Sequence, residues 1–139
     1  MTWKDPGKVA EYVGRVDRLA ARAAGEAELV EALPVTVERV LDLGCGDGRL
    51  IAVVMEARPD LVDAVGLDSS PPMLEHARQR FHGDSRVVIE AHDLNDPLPR
   101  LGSFDVVVSG FAVHHLAHER KRQLLGEIAL LVGQAPSAR

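Results

Sequence analysis

Residues Val40-Leu41-Asp42-Leu43-Gly44-Cys45-Gly46-Asp47-Gly48-Arg49-Leu50 pass from an apolar strand pattern through three alternating glycines into the start of a helical pattern. Glycine at every second position lets the backbone bend sharply, take positive φ and approach a ligand that a Cβ would hold away. A loop of this kind, if it follows a strand and opens a helix, leaves unpaired N–H groups facing the crevice at the carboxyl ends of parallel strands, where open α/β sheets bind ligands. A nucleotide-like cofactor is the first candidate.

Charge and spacing narrow the choice. The dinucleotide fingerprint GxGxxG places its third glycine three residues after the second; that position is Arg49, and the glycine falls at Gly48 instead. Asp42 stands two residues before the first glycine, where a carboxylate repels a pyrophosphate and attracts an ammonium or sulfonium. Opposite unit charges at 4 Å attract by about 1 kcal/mol in water and about 4 kcal/mol at an effective dielectric of about 20. A half-buried Asp42 is therefore expected to favour a cationic cofactor. Twenty residues beyond Gly48, the apolar stretch Asp63-Ala64-Val65-Gly66-Leu67 ends in Asp68, an acid placed at a strand tip to accept from two ribose hydroxyls.

Four stretches then occur in order: LDLGCGDGRL (41–50), GLDSSPPMLEHAR (66–78), AHDLNDPLP (91–99) and FDVVVSGFAVHHL (104–116). Together they resemble the successive motifs of class I S-adenosylmethionine-dependent methyltransferases, over residues 37 to 131. The resemblance implies S-adenosylmethionine as cofactor, with Asp42, Gly44, Cys45, Gly46, Asp68, Ser69, Met73, Asp93, Leu94 and Gly110 around it. By the same resemblance Asp93 accepts from the adenine amino group, and the next backbone N–H reaches the ring. An aspartate capping a turn is the competing reading of both Asp68 and Asp93. Cys45, the only cysteine, reads as a small side chain in the loop rather than a nucleophile.

After the fourth strand, the resemblance takes residues 110–116 past the reactive methyl, where His114 or His115 can serve as general base; an unperturbed pKa of about 6.5 suits that task. The competing reading is that both histidines pack or cap the loop. With His118 they have metal-ligand spacing on a helical face, but no acidic or thiol partner joins them, and no metal is expected.

Alternation of strands with helical segments predicts an α/β fold of right-handed βαβ units, and the resemblance implies a Rossmann-like open parallel sheet of order 3-2-1-4 with helices on both faces. Strands are read at Val37 to Leu43, Ala64 to Leu67, Val87 to Ala91 and Phe104 to Ser109, the last a near-continuous apolar run suited to burial on both faces. Helices are read at Arg49 to Ala57, from Ser70-Pro71 to Phe81, and from Glu119 to Val132. Residues 1–36 form an amino-terminal helical segment: a helix opened by Asp5-Pro6, then a short one ending at Pro34. The resemblance lets Tyr12 and Arg15 reach the cofactor carboxylate. Residues 37–139 form the cofactor-binding domain, which lacks the carboxyl-terminal strands that extend the family's sheet to 3-2-1-4-5-7-6. Strand four is thus an apolar, flat, uncovered edge, a place for a homodimer to pair.

Composition agrees with one globular domain of 139 residues, 46% hydrophobic. Sixteen basic residues against 21 acidic give a net charge of −5, which argues against an extended phosphate-binding face and so against nucleic acid. The start Met1-Thr2-Trp3-Lys4-Asp5-Pro6 has no apolar signal core, and no run reaches the length of a membrane span. The cytoplasm is the expected compartment, with no membrane partner. The leading function is methyl transfer to a small-molecule acceptor. A truncated, non-catalytic cofactor-binding or interaction module is the alternative, and a nicotinamide-dependent oxidoreductase is disfavoured by Asp42 and Arg49.

Overall fold

The computed structural model describes residues 25–110 and 115–133. The chain divides into two compact units, Met1–Leu33 and Pro34–Arg139. In the first, residues 25–32 are helical (α1); the expectations for Asp5-Pro6, Tyr12 and Arg15 lie outside the described residues.

The second unit runs β1 (Arg39–Leu43), α2 (Arg49–Ala57), β2 (Asp63–Asp68), α3 (Pro71–Arg80), β3 (Val87–Ala91), β4 (Val106–Ser109) and α4 (His118–Gly133). The four strands pair in the order β3-β2-β1-β4, every pair parallel. That is the expected Rossmann-like order. No helix among the described residues is long and apolar enough to cross a membrane.

β1 is central, and its last four residues are all buried because both sheet faces are covered. Leu41 and Leu43 point to one face and join Val65, Leu67, Leu94, Phe104 and Leu124 in a single cluster. On the other face, the register sets Asp42 opposite Gly66. A Cβ on Gly66 would come within 3.0 Å of the Cys45 side chain and of Ile51 Cδ1, so the absence of a side chain there lets α2 and the glycine loop close on the sheet.

β2 runs one residue further at each end than the expected Ala64 to Leu67, and the starts of β1 and β4 differ from expectation for a long-range reason. Asp105 Oδ2 accepts from the N–H groups of Glu38 and Arg39, both at 2.8 Å, and Phe104 N–H turns to the Leu131 carbonyl of α4. The β1 ladder therefore starts at Arg39 rather than Val37, and β4 at Val106 rather than Phe104. Arg39 closes the same corner. It donates to the carbonyls of Ser103 (2.6 Å) and Leu101 (3.0 Å) and to Asp63 Oδ2 (2.9 Å), and lies over the Phe104 ring. β4 is only four residues long, and of its side chains only Val108 is fully buried, so it is not the strand buried on both faces that its composition suggested.

The helix starts have distinct causes. Ser70 Oγ accepts from Met73 N–H and Pro71 occupies the first turn, as read from sequence. α2 has no side-chain cap; Gly48 precedes it at φ +89°, and a Cβ there would sit 2.5 Å from Phe81 Cε2. Gly83 has a similar φ of +84° with nothing within 4 Å of its would-be Cβ, so comparing the two separates backbone strain from collision. In urea unfolding, Gly83→Ala is expected to cost about 1–2 kcal/mol for the left-handed residue alone. Gly48→Ala is expected to cost about 1–3 kcal/mol more, for displacing the ring. Equal losses would mean that Phe81 swings aside freely.

Candidate functional site

The carboxyl ends of the strands border a cleft of about 230 Å³. Its walls are Gly44 after β1, Asp68 and Ser69 at the end of β2, His92 to Asn95 after β3, and His115 and Leu116 before α4. Stretches far apart in sequence thus meet because parallel pairing brings their strand ends side by side.

The glycine loop is arranged differently from expectation. Gly44 and Cys45 donate their N–H groups to the Leu67 carbonyl at 2.8 and 2.9 Å, Gly46 N–H donates to Asp68 Oδ2 at 2.8 Å, and Gly48 N–H donates to the Cys45 carbonyl at 2.9 Å. With φ of +74°, +55° and +89°, the three glycines fold the loop onto the tip of β2. These amides are consumed within the protein and do not stand open to the crevice. The glycine loop therefore gives the cleft none of these four amides as anion-binding donors.

The acids of the cleft supply acceptors instead. Asp68 takes Gly46 N–H on Oδ2 and Ser70 N–H on Oδ1, both at 2.8 Å, and each carboxylate oxygen keeps a second lone pair. Asp93 takes Asn95 N–H and Asn95 Nδ2 on Oδ1 alone, at 2.9 and 3.0 Å, and these two bonds hold its pKa below the usual carboxylate range. Turn-capping and cleft-lining thus coincide in both residues.

Asp42 is elsewhere. It is 1% exposed and absent from the cleft wall, and neither carboxyl oxygen has a hydrogen-bond partner. Burial, reinforced by the negative charge of Asp68, pushes its pKa up to about 8, so at neutral pH it mostly holds its proton. The expectation of a half-buried, ionised Asp42 selecting the ligand by charge is corrected: its central-strand position seals it, and the negative groups at the cleft are Asp68 and Asp93. Cys45 is buried and its pKa is pushed up to about 12, first by burial and then by Asp42 and Asp68, which leaves an inert thiol.

Of the other expected residues, Ser69, Leu94 and His115 line the cleft. Gly46 and Met73 adjoin each other, a Cβ on Gly46 meeting only Met73 Sδ at 3.9 Å. Gly110 is outside the wall, and His114 lies outside the described residues. Among the described residues, no group of three or more His, Cys, Asp or Glu side chains is placed to hold a metal. Sequence reading missed His92, Asn95 and Leu116. The first two flank Asp93 and Leu94 in the motif already singled out, and that adjacency was the available signal.

Comparison with known proteins places this architecture. A family profile described as "Methyltransferase domain" matches residues 40–134. An uncharacterised methyltransferase of Mycobacterium tuberculosis is 38% identical over 95 residues, covering 68% of this chain and 46% of the relative. The demethylmenaquinone methyltransferase of Thermus thermophilus is 36% identical over 99 residues, covering 70% and 43%. Among solved structures, an S-adenosylmethionine-dependent methyltransferase from Mesorhizobium loti matches with a TM-score of 0.61 at 30% identity, over 74% of this chain and 48% of that one. The chain therefore spans less than half the length of each of these three proteins.

The state of Asp42 has a measurable consequence. Its folded pKa of about 8 lies above the ordinary 3.8, so between these values the native state binds more protons than the unfolded state. Its contribution to stability is then fully present below about pH 4 and is lost as the pH rises towards 8, with a limiting slope of about 1.4 kcal/mol per pH unit. Asp42→Asn, which cannot ionise, is expected to remove that slope from unfolding free energies measured between about pH 5 and pH 8. Parallel pH profiles for the two proteins would show that Asp42 is ionised in the fold.

Proposed function

The chain belongs to the class I S-adenosylmethionine-dependent methyltransferases, and on that premise we propose that it binds S-adenosylmethionine in this cleft, in the cytosol, and methylates a small-molecule acceptor. The supporting observation is the polarity of the cleft: two acids offer acceptors while the glycine amides are turned inward. A ligand rich in hydroxyl and amino donors and carrying positive charge fits such a wall. A pyrophosphate does not.

One further feature fits the cofactor: Gly46 leaves open a side that a Cβ would partly fill. In this reading Asp68 accepts from the ribose hydroxyls, Asp93 accepts from the adenine amino group, and Leu94 gives the ring an apolar neighbour. Gly44, Cys45, Gly46, Ser69, Met73 and Gly110 border the remainder, with Asp42 beneath the loop. S-adenosylmethionine supplies, when bound, a methyl group already activated as a sulfonium.

The protein's task is then mainly alignment, an effect worth up to about 7–11 kcal/mol in favourable cases. In this reading His115, which lines the cleft, removes a proton from the acceptor, with His114 beside it in sequence. The demethylmenaquinone enzyme supports a small organic acceptor as the class. We also propose that the open edge of β4, which pairs only with β1 among the described residues, joins a second copy of the chain.

Calorimetric titration tests the cofactor reading. S-adenosylhomocysteine is expected to bind and NADH is not; NADH binding without S-adenosylhomocysteine binding would overturn it. Asp93→Asn keeps an oxygen for the Asn95 bonds but replaces the second acceptor with a donor. It is expected to weaken S-adenosylhomocysteine about tenfold, the equivalent of one charged hydrogen bond, without lowering the melting temperature. For the β4 edge, light scattering at micromolar concentration is expected to give twice the monomer mass, and a monomer under those conditions contradicts the pairing.

A further inference from the structure

One polar cluster beside the cleft has no part in cofactor contact or methyl transfer. Arg120, in the first turn of α4, is buried although the flanking residues of its helix are charged and exposed or half-exposed. Its Nε donates to the Leu94 carbonyl at 2.7 Å and its Nη2 to the Asp96 carbonyl at 2.7 Å. Its guanidinium also grips Glu127, two turns further along the helix, with Nη1 to Oε2 at 2.5 Å and Nη2 to Oε1 at 3.2 Å. Glu127 Oε1 in turn accepts from Leu98 N–H at 2.8 Å. Three alternate residues of the segment after β3 are thereby tied to one helix by their backbone, while Asp93, Leu94 and Asn95 of that segment form one wall of the cleft.

Stability alone gives weak grounds for this arrangement. The Arg120 side chain is 8% exposed and that of Glu127 27%. Taking such a pair out of water costs nearly what the attraction returns, and apolar residues of similar size often serve as well or better. What an apolar pair cannot do is fix two carbonyls and an amide at defined positions, which the rigid five-donor fork of arginine with a bidentate carboxylate does. The same helix starts at His118, three residues after His115, so the element carrying the clamp also anchors the His115–Leu116 lip of the cleft.

We propose that Arg120 and Glu127 are positioning residues that hold the Asp93–Asn95 wall at a set distance from the His115–Leu116 lip, and so determine affinity for the adenosine part of the cofactor. This rests on the function proposed above. The pair acts through the loop and touches no reacting atom, so its loss affects binding rather than the methyl-transfer step itself.

The test uses Arg120→Met, Arg120→Lys and Glu127→Gln in the full chain, with Leu124→Ala as a purely apolar lesion in the same helix. S-adenosylhomocysteine affinity is measured by calorimetry well below each melting temperature, and backbone hydrogen exchange is followed over residues 94–98. Loss of a charged hydrogen bond predicts about tenfold weaker binding for each pair variant. Faster exchange at Leu98 is predicted alongside it, while Leu124→Ala lowers the melting temperature and leaves affinity within about twofold. Arg120→Lys keeps the charge but loses the fork, and is the deciding variant if Arg120→Met does not fold. Unchanged affinity and exchange in Arg120→Lys and Glu127→Gln would overturn the proposal. Faster exchange with unchanged affinity would reduce the pair to a structural clamp and overturn it equally. A wild-type chain that ignores S-adenosylhomocysteine would defeat the proposed function and the affinity claim together, and the exchange rates would then report separately whether the pair holds the loop.

Discussion

The carboxylate of Asp68 is the joint on which the site is built. By taking Gly46 N–H on one oxygen and Ser70 N–H on the other, it ties the glycine loop after β1 to the start of α3 across the tip of β2. The backbone carbonyls here reinforce it, with Leu67 accepting from Gly44 and Cys45 and Asp68 accepting from His92 N–H. Loops following β1, β2 and β3 are thus locked to one another before any ligand is considered. Preorganisation of this kind lowers the ordering cost of binding.

The same joint sets the polarity of the cleft. Glycine loops at strand ends commonly present free amides to phosphate. Here positive φ at alternating glycines turns those amides inward, and the carboxylates of Asp68 and Asp93 share the cleft wall with Ser69, His92, Asn95 and His115. Asp42 is therefore unsuited to act as an electrostatic selector from the wall: sealed between covered sheet faces and without partners, it gives up its charge at neutral pH. The negative charge of Asp68 adds to the burial that keeps Asp42 protonated. Only the more accessible of the two has a ready route to solvation and to amide donors.

Much of this was legible in the residues, and the exceptions share a cause. β3, α2 and α3 follow from local period, turn residues and the Ser70-Pro71 cap, all encoded within short windows, while the sheet order follows from the resemblance to the methyltransferase motifs. Asp68 and Asp93 could be placed because each stands at or just beyond the end of a strand. The starts of β1 and β4 could not, because Asp105 spends its carboxylate on amides 66 and 67 residues away. Nor could the burial of Asp42, which depends on β1 being central. The direction of the glycine amides depends on the Leu67 carbonyl and Asp68, and the Arg120–Glu127 clamp joins residues that read as an ordinary charged helix face. Each miss is a contact between segments that no local pattern records.

Three strand-end loops, joined at Asp68, together form the binding site proposed for a donor-rich, positively charged cofactor. Backbone NMR of the full chain titrated with S-adenosylmethionine tests that union most directly. Shift changes are predicted to concentrate at Gly44 to Gly46, Asp68 to Ser70 and His92 to Asn95, saturating together as a single binding event. Perturbations confined to one loop, or gathered away from these three, would contradict it.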